Sequence, residues 1–194
     1  LQKLLAEHNA ATHLTPVSWL NNDLIKDSSQ LTPHDFIHFY RLLLSAYAQG
    51  HKRFVLITGT DTLSYLGAFL AEAFAGSDVC VVVTGSMRPL LDSEVLDAYT
   101  IDAHSDAWDN LTDALKLAAA GESGVKISFS GESWPAQTVQ KIHSHDFMAF
   151  TGHSRAAYPA NSYIKSLSDT FRQHWLDDQQ ALVSTIEARA EQAR

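Results

Sequence analysis

The sequence predicts an α/β fold, an open, mostly parallel sheet with helices on both faces. Three observations carry this. Continuous apolar runs at Phe54–Thr58, Val79–Val83 and Val125–Phe129 are strand-sized and lack the alternation of a sheet wet on one side. Stretches of helical period separate them, at about Thr62–Phe74 and Ala107–Ala120. The span Phe54–Val83 has the roughly 30 residues that a parallel strand–helix–strand crossover needs.

The elements follow in order. Thr32-Pro33-His34-Asp35 reads as an N-cap, a proline at the first helical position and an acid in the first turn. Phe36, Tyr40, Leu43 and Tyr47 then recur at helical spacing, and Gly50 supplies the left-handed residue that stops the helix. In the second helix Leu63, Leu66, Leu70 and Phe74 share one face, and Gly76 is its stop. The third helix turns Leu111, Leu115 and Ala118 inward and ends at Gly121. Leu91–His104 is acidic, has no clear period, and separates a strand from its helix by more than the usual 2–6 residues, so it reads as an inserted surface loop. Residues 161–194 are helical and increasingly polar, with Ile164, Leu167, Phe171, Leu182 and Ile186 at or near helical spacing. The expected division is therefore an α/β domain over 1–160 and a helical linker or tail over 161–194.

Composition limits the function classes. With 14 Lys+Arg against 22 Asp+Glu the formal net charge is −8, and the cations are scattered, which argues against nucleic-acid or anionic-membrane binding. Cys80 is the one cysteine, so neither an internal disulfide nor a cysteine-ligated zinc cluster is available. No apolar run reaches the ~20 residues that span a bilayer, and no secretory signal is visible. A reducing cytoplasm is the expected home.

In open α/β sheets, ligands bind beyond the carboxyl ends of the strands. Two turns lie there, Thr58-Gly59-Thr60-Asp61-Thr62 and Thr84-Gly85-Ser86-Met87-Arg88-Pro89. Both combine glycine, hydroxyls and helix-start amides, which suits an anion site or an activated hydroxyl. On spacing alone they are equally ordinary helix caps. His34 and His38, at i and i+4, have the spacing of a zinc-binding helix and also that of two solvated histidines. His143 and His145 are surface or site-lining residues, and Cys80 reads as a small core residue.

Several segments resemble, in order, those of the bacterial-type L-asparaginase/glutaminase family. Ile57-Thr58-Gly59-Thr60-Asp61-Thr62-Leu63 is similar to the family's His-Gly-Thr-Asp-Thr motif, with Thr58 in the place of its histidine. Val83-Thr84-Gly85-Ser86-Met87-Arg88-Pro89 resembles the next strand-end segment. Asp27-Ser28-Ser29 with Thr32-Pro33-His34-Asp35 resembles the substrate-binding stretch. Ser105-Asp106 with Asn110-Leu111 resembles the Ser-Asp-Gly…Asn-Leu segment, with Ala107 in place of glycine. Thr138-Val139-Gln140-Lys141 resembles the segment that bears the catalytic lysine.

The resemblance implies the large domain of that fold and the hydrolysis of L-asparagine to L-aspartate and ammonia, with no metal or organic cofactor. L-Glutamine as a second substrate stays open. Thr60 would be one of two active-site threonines, Lys141 the amine that takes or relays its proton, and Asp61 the carboxylate that orients the lysine and binds the substrate's α-ammonium. Asp27, Ser28 and Ser29 would grip the α-carboxylate. The family also implies a homodimer or homotetramer. Its first strand, leading into a Thr-Gly-Gly-Thr segment with the other threonine, has no counterpart here, since the first 26 residues hold neither a strand-like run nor a glycine. A family member's second, smaller α/β domain would begin where this sequence stops. The expectation is thus a fragment with impaired activity alone. The rival reading is a non-catalytic amino-acid-binding module or inactive paralogue of the same fold.

Overall fold

The computed structural model describes residue 6 and residues 16–92, 100–153 and 169–192. Its centre is a four-stranded sheet, β1 (Arg53–Ile57), β2 (Cys80–Thr84), β3 (Gly124–Phe129) and β4 (Glu132–Pro135), in that spatial order. The first three strands are parallel, in register from Arg53↔Cys80 to Ile57↔Thr84 and from Cys80↔Gly124 to Val83↔Ile127. β4 turns back antiparallel, with Lys126 opposite Pro135 and Phe129 opposite Glu132. Sequence reading did not anticipate β4. The two-residue turn Ser130-Gly131, both at positive φ (51° and 78°), makes a tight hairpin of the kind that fits strand twist.

Helices α1 (Pro33–Ala48), α2 (Leu63–Ala73) and α3 (Ala107–Ala120) fall where the periodicity places them. All five residues of β2 are buried, and its alternate side chains meet different layers. Val81 and Val83 pack with Leu63, Leu66 and Leu70 of α2, whereas Cys80 and Val82 pack with Ala114 and Ala118 of α3. That alternation is why the apolar runs are continuous. Burial also raises the Cys80 thiol pKa, despite the opposing charges of Lys126 and Arg53, which suits an unreactive core residue.

The start of α1 is fixed by charge. The Asp35 carboxylate accepts from the Thr32 amide and hydroxyl, each at 2.8 Å, and from Lys26 Nζ at 2.8 and 2.9 Å. Burial alone would raise its pKa. The Lys26 and Thr32 hydrogen bonds and the lysine charge outweigh it and hold the carboxyl at about 2. In the same helix His38 Nε2 lies 3.2 Å from Asn22 Oδ1, and no cluster of metal-ligating side chains occurs among the described residues.

Helix α4 (Asp169–Gln192) lies against α1. Leu176 and Val183 are its buried apolar residues, Trp175 stacks on Phe74 and meets Tyr47 edge-on, and Gln179 accepts from the Tyr40 hydroxyl at 2.7 Å. Two residues of the expected seam are not part of this one, Leu182 being half exposed and Ile186 partly so, while Ile164, Leu167 and the Phe171 side chain lie outside the described residues. Docking on another helix needs only a narrow stripe, so a weakly amphipathic, polar helix suffices.

The expected inserted loop is pinched at its base. Leu91 bridges Ile101, with Asp92 N–H to Thr100 O and Asp102 N–H to Leu90 O, both 3.0 Å. Residues 93–99 lie outside the described set.

Candidate active site

The two turns singled out in the sequence leave adjacent parallel strands and pack backbone to backbone. A Cβ on Gly85 would run into the Thr58 carbonyl oxygen, and one on Gly59 would stand 2.8 Å from the Ser28 Cβ. Only glycine lets three chain segments approach this closely. The first is a 3₁₀ turn, Ser28–Gln30, which Asp27 starts by accepting from the Ser29 amide (2.8 Å) and hydroxyl (2.6 Å). These two bonds lower the Asp27 pKa. Ser28 is buried, and it locks the 59–62 turn. Its Oγ accepts from the Asp61 amide at 3.3 Å and its carbonyl from the Thr62 hydroxyl at 3.0 Å.

The other side of the site comes from the far edge of the sheet. After β4, a second 3₁₀ turn (Ala136–Thr138) packs on α2, and the chain forms β5 (Gln140–Lys141), which pairs antiparallel with β6 (Phe150–Thr151). Lys141 stands opposite Phe150, whose ring packs on Phe129 of β3 at 4.8 Å. This anchor aims the lysine at the first turn. Its Nζ lies 2.8 Å from Thr60 Oγ1 and 2.7 Å from Asp61 Oδ1. The lysine side chain is 17% exposed and the aspartate 57%, so the pair sits at a surface with the amine tucked in. The other Asp61 oxygen has no partner among the described residues.

The second turn does something the sequence did not reveal. Its amides suggested an anion site, and an anion is indeed there, but it is the protein's own. The Asp106 carboxylate accepts from the Met87 amide (3.0 Å from both oxygens), the Arg88 amide (3.1 Å) and Asn110 Nδ2 (3.0 Å). Asn110, buried at 2%, also donates to the Gly85 carbonyl at 3.0 Å and accepts from the Ser130 amide at 2.8 Å. One side chain thus joins the β2 turn, the start of α3 and the β3–β4 hairpin. Ser130 in turn donates its hydroxyl to the Phe147 carbonyl at 2.5 Å, inside the loop that returns to β6. Asp106 and Asn110 are i and i+4 at a helix start, the one sequence signal that both face the preceding strand's end.

The sequence profile described as asparaginase, N-terminal, matches residues 2–168. The chain belongs to the asparaginase family. It is 30% identical over 139 residues to the L-asparaginase of Thermococcus kodakarensis, covering 72% of this chain and 38% of that protein. It is 30% identical over 127 residues to L-asparaginase 1 of Escherichia coli K12, covering 65% and 34%. Among solved structures, the thermostable L-asparaginase from T. kodakarensis superposes with a TM-score of 0.59 at 30% identity, over 68% of this chain and 37% of that one. A probable cytoplasmic L-asparaginase from Campylobacter jejuni gives 0.56 at 27% identity, over 66% and 38%. The chain therefore spans little more than a third of the length of these asparaginase relatives.

Proposed function

We propose that this asparaginase-family protein hydrolyses the side-chain amide of L-asparagine to L-aspartate and ammonia, using a threonine hydroxyl assisted by lysine and aspartate and no cofactor. The observation that supports this best is the convergence of Thr60, Asp61 and Lys141 from segments 80 residues apart. An amide is resonance-stabilised and its nitrogen leaves poorly, so hydrolysis needs a nucleophile, a proton carrier and charge stabilisation. Lys141 Nζ is within reach to take the hydroxyl proton as the threonine oxygen bonds to the amide carbon. The same proton then goes to the departing nitrogen, which leaves as ammonia, and water cleaves the resulting ester to restore the hydroxyl. Asp61 holds the lysine with one oxygen and keeps the other for the α-ammonium of the amino acid. Ser28, with Ser29 and the backbone at Asp27, binds the α-carboxylate; the Ser28 hydroxyl keeps its proton to donate while its oxygen accepts from Asp61.

Cytoplasmic location, homodimeric or homotetrameric assembly, action on L-glutamine, and a division near residue 160 between the site-bearing unit and a helical tail belong to the same proposal. No helix among the described residues is long and apolar enough to cross a membrane.

A second reading is an amino-acid-binding module that does not turn over, since the Ser28 and Asp61 groups that suit the two charged ends of an amino acid do not by themselves require hydrolysis. Ammonia release from L-asparagine decides between them. Hydrolysis predicts release that Thr60→Ala and Lys141→Met each lower by roughly two orders of magnitude or more at unchanged melting temperature. Near-normal turnover in both variants overturns the assignment of these residues. Ligand-induced thermal stabilisation without ammonia would establish the binding module.

A further inference from the structure

The His34-Asp35-Phe36-Ile37-His38 motif takes no part in the chemistry described above, yet two of its side chains reach the chain segment that leads into the site. His38 Nε2 lies 3.2 Å from Asn22 Oδ1, which also accepts from the Leu24 amide at 3.1 Å. Asp35 accepts from Lys26 Nζ at 2.8 and 2.9 Å. Residues 35 and 38 are neighbours on one face of α1, so together they strap residues 22–26 across the start of that helix. Between the two ties Leu24 packs on the core, while Ile25 is exposed.

The strap ends where the Ser28–Gln30 turn begins, and Asp35 holds both flanks of that turn. Lys26 is tied before it, and the Thr32 amide and hydroxyl, each at 2.8 Å, are tied after it. Inside the loop so closed, Gln30 N–H bonds to Asp27 O at 3.0 Å and Leu31 N–H to Ser28 O at 3.2 Å. A solvated ion pair would be too weak to hold a loop, but here the carboxylate is only 11% exposed and accepts from both partners at once. Ser28 at the tip has little room. A Cβ on Gly59 would stand 2.4 Å from its Oγ. The bond that Oγ accepts from the Asp61 amide is already long at 3.3 Å, so a shift of roughly a few tenths of an ångström loses it.

An α-amino acid carries its ammonium and carboxylate on one carbon, so the distance between them is fixed and the gap between the Ser28 hydroxyl and the Asp61 carboxylate has to match it. We infer that Asp35, acting through Lys26 and Thr32 and assisted by the His38–Asn22 tie, is a positioning residue that sets this gap and with it the affinity for the amino acid. The inference rests on the reading of Ser28 and Asp61 as the groups that hold the two charged ends. The α-carboxylate lies away from the amide, where charge develops in the reaction, so its grip is equal in the ground and transition states. Loosening the strap should therefore move KM and leave kcat in place.

Lys26→Met in the 194-residue chain is the deciding variant, because it cuts the strap and leaves the Asp35–Thr32 helix cap whole. Hydrogen exchange should quicken roughly fivefold or more at the Leu31 and Asp61 amides, both bonded to Ser28, and stay unchanged at the Phe36 amide, bonded to Thr32 O within the cap. For ammonia release from L-asparagine, KM should rise about five- to tenfold with kcat held within about twofold, and calorimetry should show L-aspartate binding weakened by the same factor. Lys26→Arg should restore both readouts, and Lys26→Met combined with Asp35→Asn should raise KM no further than Asp35→Asn alone. His38→Ala should raise KM by about two- to threefold. Wild-type exchange at Leu31 and Asp61 in Lys26→Met overturns the proposal, as does equal quickening at Phe36, or a wild-type KM while the two amides loosen. A wild-type chain that neither hydrolyses L-asparagine nor binds L-aspartate overturns the reading of the site instead, and the exchange rates still decide whether the strap fixes Ser28.

Discussion

The two edges of the central sheet are finished in opposite ways. At the far edge β3 turns into β4 through a two-residue hairpin, Pro135 closes the strand, and the following segment packs back to deliver Lys141 to the site. At the near edge β1 is the last strand of the sheet, with no strand on its outer side among the described residues and a cavity there lined by α1, α3 and residues 16–20. The contrast shows that the proposed chemistry draws on a side where every connection is made locally. Asn110, Asp106 and Ser130 fasten the finished edge to the strand-end turns.

The comparison can be broken first at the joint between the two turns. Gly85→Val would drive a side chain into the Thr58 backbone and should cost more than about 3 kcal/mol, read as loss of cooperative unfolding by urea. The same substitution at two strands then sharpens it. Val82→Pro, in the central strand, should abolish folding through a lost ladder bond and a ring clash, about 3 kcal/mol or more. Val55→Pro, outward on the edge, should cost only about 1 kcal/mol. Equal damage would mean that the β1 edge is not free. Asn110→Ala leaves the buried Gly85 carbonyl and Ser130 amide without their partner, and should destabilise by about 2–3 kcal/mol. In catalytically competent protein it should also lower kcat more than it raises KM, because it loosens the hairpin side of the site.

The smallest effect is a pH dependence. Asp35 has its folded pKa at about 2, below the ordinary 3.8, so its contribution is complete above the unfolded value and is lost as pH falls through the folded one. Lys26 is 37% exposed and screens the pair, so the amount is about 1–2 kcal/mol between pH 5 and pH 2. Asp35→Asn should flatten that part of the stability curve, measured by urea unfolding at successive pH values. An unchanged slope would assign acid sensitivity to other carboxylates.

Much of the fold was legible because it rests on local rules. Continuous apolar runs marked β1, β2 and β3 since both sheet faces are covered, and Thr32-Pro33 and Gly50 marked the ends of α1. β4 was not legible. Glu-Ser-Trp-Pro is half exposed, and its turn begins with a serine at positive φ, a position that glycine or asparagine usually announces. The same holds for β5 and β6, two residues each, whose existence depends on Phe150 wedging against Phe129.

For the site, the sequence by itself determined which residues are present. The ordered motifs singled out Asp27, Ser28, Ser29, Thr60, Asp61 and Lys141 before any distance was known. Tertiary structure alone decided that Lys141 reaches Thr60 and Asp61, that Ser28 is committed to holding their turn, and that the amides after β2 are already occupied by Asp106. The physical reason is range. Caps, turns and periodic burial are set within a few residues, whereas a hydrogen bond across 80 positions forms only where packing of the intervening elements brings its two ends together.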